Sequence, residues 1–159
     1  MTDPTVSAAR EIFDEKIEGI HGSVDGLPTE ALNWRPAGDD TNPIAVLAVH
    51  AMGSTRNWLA VAFGAQLPER DRSAEFRSVA GDGTELLAHV DRVAEDCRRL
   101  FDGAGRFQPD ATRASGFRTR SGDEEVVTRA WAILHALEHL SEHVGHAQLT
   151  RQLWERREG

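Results

Sequence analysis

The stretch LHALEHLSEHVGHAQ, from Leu134 to Gln148, constrains this chain more than any other. It holds His135, His139, His143 and His146, four of the seven histidines, at spacings of four, four and three. Residues three and four apart share one face of an α-helix. The stretch therefore reads as a helix carrying a stripe of imidazoles. His139 and His143 form an H-x-x-x-H pair, the spacing at which one helix can offer two nitrogens to a single metal ion. A tetrahedral ion bound by two residues still lacks ligands, so the fold must bring up another element. The candidate is His50, which sits inside the amphipathic run NPIAVLAVHAMGSTRNWL.

Helical periodicity and end signals divide the rest of the chain. Asp3 and Pro4 open a helix whose apolar residues run from Val6 through Ile12 or Phe13 to Ile20, closing near Val24. The segment LPTEALNWRPAGDDTNP carries three prolines and reads as a loop with a short turn at residues 29–32; Trp34 is expected over one end of the molecule. Asn42 as N-cap and Pro43 at the first helical position start a second helix reaching about Gly64. Leu47, His50, Ser54, Trp58 and Val61 mark its inward stripe; Asn57 shares the His50 face, and Ala51, Gly53 and Ser54 leave space there. Residues 66–83 are polar and too long for a tight helix hairpin. Asp82 with Glu85 reads as a variant capping box opening a third helix that stops near Gly103. A second long connection covers residues 104–123, and a fourth helix is expected over residues 123–154. At about 100° per residue, His143 falls at the edge of that helix's apolar face and His139 further round. No segment reads as a strand. The expectation is an all-α chain: a four-helix bundle with two long crossover loops, up-down-down-up, in one domain over residues 1–159.

Composition excludes several functions. A formal net charge of -8 and a pI near 5.3 argue against nucleic acid or an anionic membrane as partner. Lys16 is the only lysine among 18 Lys and Arg. A single cysteine, Cys97, permits no internal disulfide and no multi-cysteine zinc site. The N-terminal MTDPTVSAAREIFDEK has no apolar signal core, and no apolar run approaches a membrane span. A cytoplasmic protein acting on a small molecule is expected.

The histidine pattern narrows the metal chemistry. HLSEH is not H-E-x-x-H, so the glutamate of a zinc peptidase is misplaced. Glu138 and Glu142 have Ser141 and Gly145 three residues on, so the Glu-x-x-His of di-iron bundles is absent from this stretch. What fits is a mononuclear site of three imidazoles with one position open. Zinc, nickel, iron or copper would suit such ligands. A solvated histidine face is the competing reading, but His50 on an inward stripe needs a partner if it is buried.

Leu32, Trp34, Arg35 and Pro36, then the helix around His50, then EHLSEHVGHAQLTRQL, resemble the DinB-like superfamily of bacterial four-helix-bundle proteins, its YfiT-like and mycothiol-dependent branches most of all. The resemblance spans nearly the whole chain. It implies metal ligation by His50, His139 and His143, a divalent ion such as zinc or nickel, and a homodimer. In some members it implies chemistry on low-molecular-weight thiols, either S-transfer or thiol-dependent isomerisation. His146 stands where glutamine is often found; with Asn57 and His135 it is a candidate pocket residue. Metal-dependent hydrolysis, or a metal that merely staples a binding or stress-response protein, are the alternatives. Structural zinc sites are typically closed by four protein ligands, so a complete four-histidine shell would count against catalysis.

Overall fold

The computed structural model describes residues 3–157. Four long helices, α1 (Pro4–Val24), α3 (Ile44–Phe63), α5 (Gly83–Asp102) and α6 (Arg129–Arg156), make up most of it. Two single-turn helices, α2 (Thr29–Leu32) and α4 (Arg72–Glu75), and a two-stranded antiparallel sheet, β1 (Thr112–Arg118) with β2 (Glu124–Thr128), lie in the connections. The helix ends follow local chemistry. The Asp3 carboxylate accepts from the Thr5 N–H at 2.8 Å with Pro4 just inside. Asp82 accepts from the Glu85 N–H at 2.8 Å, and Glu85 reaches back to the Gly81 N–H at 3.2 Å, one residue before the cap. Gly64 takes φ 74°, which a residue without Cβ does at no steric cost. The chain thereby ends α3 with the Ala65 N–H turned back to the Ala60 carbonyl at 3.0 Å.

Each long helix packs against two others: α1 against α5 and α6, and α3 against the same two. Along α1 and α6, a Cβ on Gly19 would press on Val144, and Arg151 donates to the carbonyls of Gly22 and Asp25. Between α3 and α5, Arg56 pairs with Asp96 and Phe63 packs edge-on against Phe101. Between α1 and α5, Asp14 pairs with Arg98 and His21 with Asp91. Between α3 and α6, Arg129 donates to the Ala62 carbonyl. Phe13, Met52, Leu59, Ile133 and Leu140 are fully buried at the centre. Truncating such a residue costs about 3–5 kcal/mol for Phe and 2–5 for Leu. Cys97 is also fully buried, and burial pushes its thiol up to about 12. Trp34 meets Trp154 edge-on, centroids 5.6 Å apart. Among the described residues no helix is long and apolar enough to cross a membrane.

Helix α3 is buried on nearly all sides; Val49, Gly53 and Arg56 alone are half-exposed. A helix that is apolar all round needs cover on every face. The cover on α3 comes from α5, α6, α4 and strand β1.

Two expectations need correction. The chain is mostly helical, not all-α, because residues 112–128 form a hairpin. Thr112 pairs with Thr128 and Ala114 with Val126, and the register shifts before Arg118 meets Glu124. Helix α6 accordingly begins at Arg129 rather than near Asp123, with Thr128 as its N-cap accepting from the Trp131 N–H at 3.2 Å. At α3, Pro43 is the N-cap and no side chain caps the helix, so Asn42 does not serve as expected. The hairpin lies over the end of α3: Arg113 donates to the Ala65 carbonyl at 2.5 Å, and Phe117 packs on Trp58.

Candidate metal centre

His50 projects from α3 and is buried; His139 and His143 project from α6 and are half-buried. One ring nitrogen from each lies within 4.8 Å of the other two. The ring centroids of His50 stand 5.1 Å from those of both His139 and His143, which are themselves 4.4 Å apart. His139 Nε2 and His143 Nε2 are separated by 3.2 Å. Two nitrogens at about 2.0–2.1 Å from one tetrahedral zinc would stand about 3.3 Å apart, so the observed spacing suits a shared ion.

The protonation states suit one too. Burial, then the neighbouring His143 and His50, push His139 down to about 3. Burial, with His50 next, lowers His143. Both rings are neutral near pH 7 and have lone pairs to give, as metal binding requires. Each also buries an Nδ1 without a hydrogen-bond partner among the described residues. An unsatisfied buried polar atom costs about 1–3 kcal/mol, so the pair gains little from the protein around it.

His50 is held differently. Its Nδ1 lies 2.9 Å from Glu75 Oε2. Burial pushes the Glu75 carboxyl up, but hydrogen bonds from His50 and Arg70 and the charge of Arg70 outweigh it, leaving the group below its ordinary range. Glu75 is therefore ionised and can only accept, so Nδ1 donates to it and Nε2 is the nitrogen left to reach an ion. A carboxylate on the far nitrogen is the usual support of a metal-binding histidine. Arg70 clamps Glu75 with two bonds, Nε to Oε1 at 2.7 Å and Nη2 to Oε2 at 2.8 Å, and both side chains are buried. Asp71 caps α4 by accepting from the Ala74 N–H at 3.0 Å, which turns Glu75 inward. Phe76 covers the His50 ring with centroids 4.4 Å apart.

Gly53 makes this approach sterically possible. A Cβ there would collide with Glu75 Oε1 and lie 3.1 Å from its Cδ. The space expected near His50 is thus filled by a carboxylate from the first long connection. Sequence reasoning missed Glu75 and Arg70 because both lie in a polar segment without a periodic pattern; the one local signal was the Asp71 cap.

The other candidates go elsewhere. Asn57 is buried and donates to the Ser115 carbonyl at 3.4 Å, tying α3 to the hairpin. His135 stacks on Trp131, meets Trp58 edge-on and holds Glu138 through Nδ1 at 3.1 Å; its centroid stands 5.8 Å from that of His139. It belongs to an aromatic wall beside the cluster. His146 is exposed, its centroid 5.9 Å from that of His143. Both line a cavity of about 340 Å³ walled by Leu47, Leu149 and Leu153. Trp154 is buried against Trp34.

No curated protein sequence matches the chain. A crystal structure of a conserved protein from Enterococcus faecalis superposes with a TM-score of 0.72, covering 96% of this chain and 97% of that one at 15% identity, which shows a common fold. The sequence profile of the DinB superfamily matches residues 12–147. With that match over most of its length, the chain belongs to the DinB superfamily.

Proposed function

We propose that this chain is a metal-dependent enzyme that transfers a low-molecular-weight thiol to a small electrophile or uses the thiol to assist an isomerisation. The observation that carries this reading is the convergence of three imidazoles from two helices, one of them backed by a buried carboxylate. His50, His139 and His143 would hold a divalent ion, zinc or nickel by their donor chemistry. Such an ion supplies Lewis acidity and a position at which a thiol becomes a thiolate near neutral pH. The residues themselves orient and exclude water. Arg70 and Glu75 fix the His50 ring, and Phe76 screens it. The cavity beside His143 gives the thiol a way in and its proton a way out. In transfer, the sulfur–carbon bond forms as the bond to the leaving group breaks, and the electron pair departs with that group. Cys97 is buried and supplies no nucleophile.

A metal that only staples the fold would call for a fourth protein ligand. Among the described residues the cluster holds three, which favours an open site. The helix pairings fit a four-helix bundle running up-down-down-up in a single domain: α1 beside α6 and α3 beside α5 in like direction, the other neighbours opposed. A homodimer is part of the proposal, with the half-exposed Trp131 and the exposed Leu134 of α6 as apolar surface for it; light scattering that gives a monomer at roughly tens of micromolar, above most specific dissociation constants, would remove that part. The reaction is tested by incubating metallated protein with mycothiol, bacillithiol or glutathione and a panel of electrophiles, beside His139→Ala. Thiol-specific turnover lost in the variant supports the reading. Turnover without any thiol points to a hydrolase, and none at all, with four protein ligands on the ion, to a structural role.

A further inference from the structure

Resting on the homodimer proposed above, we infer that two copies pair through the outward faces of α6, antiparallel about a twofold axis at Glu142, and that each copy forms part of the mouth of the other's cavity beside His143. Among the described residues, α3 and α5 leave no large apolar side chain exposed, and α1 leaves one, Ile12. Helix α6 leaves four: Trp131 (45% exposed), Leu134 (64%), Leu149 (53%) and Leu153 (45%). At about 100° per residue all four project within about 60° of one direction, with Glu138 and Glu142 between them.

Their spacing reads the same from both ends. Trp131 and Leu153 stand eleven residues either side of Glu142, and Leu134 and Leu149 stand eight and seven. With α6 laid antiparallel to its own copy about that point, Trp131 meets the partner's Leu153 and Leu134 meets the partner's Leu149. Each contact occurs twice, as in any isologous pairing. A partner of other sequence has no reason to match such a pattern. The four side chains bare roughly 400 Å² on each copy, the size of a functional patch. That is about half of one partner's share of a standard interface, which is ~800 Å²; the exposed Glu138, Glu142, His146 and Gln152 extend it.

Charge agrees at two of the three central levels. Glu138 and His146 stand four residues either side of the axis, so each Glu138 faces the partner's His146. Glu138 Oε2 is held by His135 at 3.1 Å, which leaves Oε1 for that contact. Glu142 faces its own copy, the one like-charge contact, at an exposed position where salt screens it. Leu149 and Leu153 also wall the cavity that His143 and His146 line. The second copy lies over those two leucines and so shapes the entrance to the site.

The test uses the full metallated chain in sedimentation velocity, from about 1 to about 100 micromolar. Leu149→Asp should weaken the dimer at least about 30-fold, the effect of losing one hot-spot side chain, with metal content unchanged. Glu142→Gln should tighten it by removing the like-charge contact. Spin labels on Glu142→Cys and, separately, on Gln152→Cys locate the axis: helix rise sets the second pair roughly 30 Å further apart along α6 than the first. Cys97 is buried and stays unlabelled. Maleimide should label Asn42→Cys, on the cavity wall, more slowly in the dimer than in the Leu149→Asp background. If Leu149→Asp does not fold, Glu142→Gln and the label distances decide. A monomer throughout that range overturns this inference and the homodimer with it. A dimer indifferent to Leu149→Asp, or one whose labels at 152 lie as close as those at 142, overturns the arrangement and leaves the homodimer standing. Equal labelling of Asn42→Cys overturns the shared entrance.

Discussion

His50 and the His139–His143 pair reach the same point by opposite means. His50 has its ring fixed from behind: Glu75 accepts from its Nδ1, Arg70 holds Glu75, and Phe76 lies over the ring. His139 and His143 have buried Nδ1 atoms without partners, and their one mutual polar contact is Nε2 against Nε2. The α3 side is thus preorganised by protein, and the α6 side leaves room for an ion to supply the missing interaction. A ligand set built this way should respond unequally when its two halves are disturbed.

The largest effect should come from removing the fixed ligand. His50→Ala should reduce bound zinc from one ion per chain to background on elemental analysis; undiminished metal in that variant would falsify the site. Next comes the support behind it. Glu75→Gln keeps the shape but loses the charge, and metal affinity by competition with a chelator should fall about 10- to 100-fold, as for other outer-shell partners. If the loss matches that of His50→Ala, Glu75 is more than a support behind the ring. Gly53→Ala should weaken metal by about tenfold, the lower end of that range, because its Cβ displaces Glu75. The same change should favour helix by about 1 kcal/mol, so lost affinity with no loss of helicity by circular dichroism is the signature sought.

A gentler probe is pH, applied to metal-free protein. The folded-state value of His139 lies near 3, below its ordinary 6.5, and His143 is lowered as well. Between those limits the unfolded chain binds more protons than the folded one, so stability is full above about pH 6.5 and lost as pH falls toward 3. Denaturant midpoints should drop over that window, and His139→Gln should flatten the curve; an unchanged slope would mean that this ring is not held neutral by the fold. The smallest effect is expected at Gly145, where a Cβ would meet nothing within 4 Å. Gly145→Ala should add up to about 1 kcal/mol from helix propensity and leave metal affinity as it was, in contrast to the same substitution at Gly53.

Much of this architecture is legible in the residues. Asp3, Pro4, Asp82 and Gly64 declare their helix ends through local chemistry, and four apolar stripes give four long helices. The histidine spacing on α6 and the inward position of His50 are one-dimensional patterns that map directly onto helix faces. The hairpin was hidden because Asp123, Glu124 and Glu125 look like an acidic first turn, while Val126, Val127 and Thr128 are β-branched and pair with residues 112–114 through contacts that no periodicity encodes. Glu75 was hidden for the same physical reason. Its role depends on the first long connection crossing the His50 face of α3 and on Gly53 being small enough to admit it, and neither is a repeat. Asn57 shares a face with His50 in projection, yet seven residues of rise carry it away to Ser115.

Cys97 offers a consequence of a different kind. It is the chain's one thiol, fully covered between α5 and the core, and protonated near neutral pH. A thiol reagent can reach it only when α5 comes away, so the labelling rate counts those openings. The protein thus carries its own clock for openings around α5, read by thiol labelling at its one cysteine. If α5 is clamped more tightly once the histidines are loaded, that clock will slow.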